Sequence, residues 1–192
     1  YRRSVVISGM ILHREEALKY TTKRFDGTLL YQIYLVANIL IEKNGVFLPD
    51  ILVLYRRGGI PDFGNNEKEK EKFLPQKQTP ESSLHFIKGL LDIAKYIEDV
   101  QKVQIYSKIL KDLGNYSYPL FSIQAQKPFR TYLHYSYSLA KMGLGRNPMF
   151  YLYFLSILLI GSKQVDNLIK FIKERIGYTP TMGNIYQGAK SF

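Results

Sequence analysis

The hydrophobic rhythm of the chain changes about a third of the way along. Residues 4–12 (SVVISGMIL) are β-branched and apolar, as in a buried strand, with Gly9 marking a close backbone approach. From Thr28 the apolar positions Leu29, Leu30, Ile33, Tyr34, Ala37, Leu40 and Ile41 recur at helical spacing until Asn44-Gly45 breaks the pattern. Residues 46–55 (VFLPDILVLY) then read as a second strand, which Pro49 bends or places at an edge. Strand, crossover helix and strand make an α/β unit. Two strands alone do not form a stable sheet, so further strands are expected upstream of Tyr1, with the chain a piece of something longer.

Residues 56–66 (RRGGIPDFGNN) are loop-forming, and 67–72 (EKEKEK) alternate in sign as in a solvated segment. Beyond them the pattern is helical throughout. Thr79-Pro80 supplies an N-cap and a first-turn proline ahead of the stripe Leu84, Ile87, Leu91 and Ala94. A further helix through Val103, Tyr106, Ile109, Leu110 and Leu113 is expected to stop at Gly114. Residues 132–142 and 148–160 read as helices, and Ser162 opens a last one that Gly177 and Pro180 end. The fold class expected is therefore α/β, a partial α/β layer over residues 1–64 followed by a mainly α-helical region over 65–192.

Composition narrows the chemistry. Without Cys, among 192 residues, disulfide scaffolds, Cys-ligated zinc, iron–sulfur clusters and thiol catalysis are excluded. His13, His85 and His134 lie far apart and no hydrolytic triad stands out, and no nucleophile elbow, phosphate loop or dinucleotide fingerprint occurs. The longest apolar run, residues 149–160, is too short to span a bilayer core, which takes about twenty residues; it reads as a buried core helix or an interfacial segment. Net charge is +11, and residues 129–192 carry eight basic and two acidic side chains, or +6 of it. Lys163, Lys170, Lys173 and Arg175 lie near an apolar stripe. A basic tail rich in aromatic and aliphatic side chains suits an anionic membrane better than nucleic acid, whose binding faces keep long aliphatic runs inside.

The most distinctive patch is Arg56-Arg57-Gly58-Gly59-Ile60-Pro61-Asp62-Phe63-Gly64, where glycines expose backbone amides and paired guanidiniums suit a diphosphate. The order Ser8-Gly9-Met10-Ile11-Leu12-His13-Arg14-Glu15-Glu16, then Phe25-Asp26-Gly27, a helix, and Gly45-Val46-Phe47-Leu48-Pro49-Asp50-Ile51-Leu52-Val53 resembles the second half of the catalytic domain of family 2 glycosyltransferases. The resemblance covers about residues 1–64 and implies a GT-A fold, with 1–64 the acceptor-side part of the catalytic domain. It implies transfer of a sugar from a nucleotide-diphosphate donor to a hydroxyl of a glycan or glycolipid acceptor, in cell-envelope polysaccharide synthesis. Such an enzyme is cytoplasmic or peripheral on the inner face of the membrane.

The resemblance further implies Mg²⁺ or Mn²⁺, but the Asp-x-Asp motif that would hold the ion is not in the chain and is expected before Tyr1. The family's usual acidic pair is replaced by Tyr31-Gln32, so the catalytic base does not carry over by direct match. Asp26 and Asp62 are the candidate bases, Arg56, Arg57, Gly58 and Gly59 the candidate diphosphate contacts, and His13 a candidate contact to donor or metal. Asp26 reads equally as a cap or turn residue beside Gly27. The rival reading of the whole chain is a non-catalytic basic helical module that docks on an anionic membrane or a partner protein.

Overall fold

In a computed structural model the described residues are 10–46, 67–72 and 78–176. They form eight α-helices: α1 (Arg14–Lys19), α2 (Tyr31–Glu42), α3 (Pro80–Gln101), α4 (Tyr106–Asn115), α5 (Tyr118–Gln124), α6 (Phe129–Lys141), α7 (Pro148–Ile160) and α8 (Ser162–Ile176), with a 3-10 turn at Leu144–Arg146. About 71% of these residues are helical and none is in a strand, so the α/β expectation is corrected to an all-helical class. The physical reason lies in α2, the expected crossover helix. Helix α2 packs against helix α3 rather than a sheet, and its buried Ile33 and Tyr34 share one core with Ile87, Leu90 and Ile93 of α3. Of the two expected strands, 4–9 and 47–55 lie outside the described residues, whereas Met10, Ile11 and Leu12 join no ladder and lead directly into α1.

Helix α3 is the organiser. Thr79 and Ser82 form a reciprocal capping box, Ser82 N–H donating to Thr79 Oγ1 and Thr79 N–H to Ser82 Oγ, both at 3.1 Å, with Pro80 in the first turn. Its buried Ile87, Leu90, Leu91, Ile93, Ala94 and Ile97 cover more than one stripe, because α2, α4 and α6 all pack against it. Each such isoleucine or leucine contributes about 1.5–3 kcal/mol of transfer free energy. Phe25, Leu30, Ile33 and Tyr34 from before position 64 share this core with helices from after it.

A second, aromatic part of the core forms where α5, α6 and α7 meet. Phe121 is fully buried, its ring 4.8 Å from Phe150 edge-on, and Tyr132 stacks on Phe154 at 5.8 Å. Helix α4 runs to Asn115, past the expected stop at Gly114. That glycine serves a close approach instead: a Cβ there would lie 2.7 Å from Cβ of Asn147. Asn147 in turn caps α7 by accepting from Met149 N–H at 2.9 Å, and its amide donates to Lys111 O and Asn115 Oδ1. One side chain thus fixes the angle between α4 and α7.

Candidate functional site

The turn that carries Asp26 is built from both sides. Phe25 is buried, with its ring 5.1 Å from Tyr34 and 5.4 Å from Tyr96, and the Arg24 guanidinium lies 4.7 Å over the Tyr96 ring. Gly27 takes φ 73°, a left-handed conformation that lets the chain reverse, and Thr28 closes the turn by donating N–H and Oγ1 to Phe25 O at 3.0 and 2.6 Å. Between the buried phenylalanine and the glycine, Asp26 is exposed. Its carboxylate makes no hydrogen bond or ion pair with the described residues.

From the other side the charged segment 67–72 reaches across. Lys68 donates its ammonium to the carbonyls of Asp26 and of Lys23, the latter at 3.2 Å. Glu69, only 5% exposed, accepts from Leu29 N–H at 2.6 Å at the entrance to α2, and its other oxygen lies 3.5 Å from His85 Nε2 on α3. This corrects the expectation of a solvated segment for 67–72: five of its side chains are exposed, but Glu69 is driven inward. Helix α2 has Leu30 at its N-cap, without a side-chain cap of its own and with no acid in its first turn. A carboxylate from 40 residues away accepts from the Leu29 N–H in the turn just before the helix and complements the helix dipole. The arrangement presents one exposed carboxylate on a turn held at Phe25, Lys68 and Glu69.

Compared with known protein families, characterised proteins and solved structures, the chain matches none.

Asp62, Arg56, Arg57, Gly58 and Gly59 lie outside the described residues. His13 is exposed at the position preceding α1; its carbonyl accepts from Ala17 N–H at 3.0 Å, while its imidazole caps nothing. No hydrogen bond, ion pair or ring contact joins His13 to Asp26 among the described residues. No three His, Asp or Glu side chains converge among the described residues either. Sequence reasoning passed over Lys68, Glu69 and His85, because sign alternation looks the same whether every side chain is solvated or one is buried.

Two further surfaces stand apart from the Asp26 turn. Between α2 and α4 a groove of about 240 Å³ is lined by Ile33, Val36, Leu40, Ile105 and Ile109, with Lys108 its one charged side chain. No acid or nucleophile is among its lining residues. On α7 and α8 a row of leucines and aromatics faces outward. No described helix is long and apolar enough to cross a membrane.

Proposed function

We propose that the chain is the acceptor-side part of a glycosyltransferase that moves a sugar from a nucleotide-diphosphate donor to a hydroxyl of a glycan or glycolipid acceptor. The observation that carries this reading is the order of sequence pieces from Ser8 to Val53, which resembles that of family 2 glycosyltransferases. It is a reading of the reaction, not of a GT-A layer, since the described residues are helical. The exposed carboxylate of Asp26, which has no hydrogen bond or ion pair among the described residues, supports it further. In this reading the acceptor oxygen attacks the anomeric carbon, the bond from that carbon to the diphosphate oxygen breaks, and the hydroxyl proton passes to Asp26. Arg56 and Arg57 then balance the charge of the leaving diphosphate by bidentate hydrogen bonding. Calorimetric titration of the full-length protein with the common nucleotide-sugars, with and without Mn²⁺, tests the reading. Saturable binding of one donor is expected; silence across all of them overturns it. The second reading, a non-catalytic docking module, is favoured by one observation, the outward apolar row on α7 and α8.

A further inference from the structure

We propose that the outward faces of α7 and α8 are a docking surface for an anionic membrane, on which α7 lies flat at the level of the headgroups. Helix α7 (PMFYLYFLSILLI) contains no charged residue. Phe150, Tyr153, Phe154 and Ile157 turn toward the core. The positions between them, Tyr151, Leu152, Leu155, Leu158 and Leu159, fall on the opposite side of the helix and are exposed, Leu159 to 79%. A helix apolar all round belongs inside a protein or in contact with lipid, and here only half of its surface is covered. Helix α8 adds exposed Leu168, Phe171 and Ile172, with the Arg175 guanidinium 5.2 Å over the Phe171 ring.

Charge decides what covers this face. From Arg146 through α8 the chain carries five basic side chains, Arg146, Lys163, Lys170, Lys173 and Arg175, against two acidic ones, Asp166 and Glu174. Arg146 and Lys163 are exposed immediately before and after α7, so the apolar face has a cation at each end. A second copy of the chain would set this net-basic rim against itself, with two acids on α8 against five cations. A bilayer rich in phosphatidylserine supplies both apolar depth and negative charge. At ~1.5 Å per residue the thirteen residues of α7 extend about 20 Å, which suits lying along an interface rather than crossing it. Tyr151, amphipathic and exposed, is of the type that sits at the headgroup level.

The chain has no Trp, so Tyr151→Trp provides a single fluorescent reporter on this face. With vesicles of phosphatidylcholine and phosphatidylserine its emission is expected to shift to the blue and to be quenched by brominated acyl chains, with much weaker effects on pure phosphatidylcholine. In co-sedimentation, Leu155→Asp with Leu159→Asp should lower the partition coefficient at least tenfold while leaving the helical circular-dichroism signal and melting midpoint unchanged. Arg146→Gln and Lys163→Gln should each lower it about fivefold at low salt, and less at high salt. An unshifted reporter on anionic vesicles overturns the proposal. So does a blue shift without lipid that follows protein concentration, which would assign the face to a second copy, or one produced only by an acidic protein. Vesicle binding and donor binding are separate measurements, so this inference and the glycosyltransferase reading can fail independently.

Discussion

At the scale of single residues, two carboxylates serve helices that are remote in sequence or belong to another element. Glu69 satisfies the entrance of α2, and Glu98 Oε2 on α3 accepts from both Ile105 N–H and Tyr106 N–H at 2.8 Å at the start of α4, whose own N-cap is an isoleucine. Hydrogen bonds to an ionised acceptor are worth about 1.5–3 kcal/mol, so Glu98→Ala is expected to lower the unfolding free energy by about 2–3 kcal/mol in urea melts, with Glu98→Gln recovering part of it. An unchanged midpoint would show that α4 begins without that carboxylate. Neither cap was legible in the sequence, because nothing local in EKEKEK or around Glu98 marks which acid folds back onto a distant helix end. Asp26 was legible as a turn residue next to Gly27, but not the Lys68 contact that braces its carbonyl.

Tyrosine ionisation provides a second residue-scale expectation. Burial pushes the Tyr132 hydroxyl up to about 12, and neither it nor the Tyr135 hydroxyl, also raised by burial, has a hydrogen-bond partner among the described residues. The folded state holds the Tyr132 proton more tightly than the unfolded chain, whose tyrosines titrate near 10. Its contribution is therefore complete below about pH 10 and is lost as pH rises toward 12, so the melting midpoint should fall over that interval. Tyr132→Phe removes a buried hydroxyl without a partner; it should leave stability at pH 7 equal or higher and flatten part of that alkaline slope. A Tyr132→Phe protein that is markedly less stable at pH 7 would reveal a hydrogen bond worth keeping.

At the scale of elements, the helices after position 79 were readable because stripe and boundary signals agree. Thr79-Pro80 opens α3 as the sequence indicates, and Thr79→Ala should cost about 1 kcal/mol through loss of the capping box. Helix α5 was not singled out within the stretch read as helical: it has seven residues with Pro119 in its first turn, and its buried positions, Phe121 and Gln124, are too few to make a stripe. Gly114 was read as a helix stop from its residue type, whereas its role is tertiary, set by Asn147 from the other end of the α4–α7 contact. A methyl group there meets that side chain at a distance real Cβ atoms do not occupy, so Gly114→Ala should destabilise by about 1–3 kcal/mol despite its better helix propensity. Equal or greater stability in that variant would mean that α4 and α7 can separate without cost.

At the scale of the whole molecule, the α/β expectation failed because it extrapolated from two apolar stretches and the helix between them. That helix exists, but its apolar face is used by α3, and Phe25 to Tyr34 join the core of the helical region rather than a separate layer. The acid-free stretch 113–165 includes α5, α6 and α7, where many of the exposed apolar side chains also lie. Sugar transfer is the central claim, and Asp26 is the residue of the described structure on which it turns. The most direct measurement is single-turnover transfer by the full-length protein, using the donor found by calorimetry, for the natural sequence against Asp26→Asn. Loss of about 10²–10⁴-fold in rate with donor affinity and melting midpoint unchanged is the predicted result. An Asp26→Asn protein that transfers sugar at the original rate, or a natural sequence that binds no donor, would contradict the account.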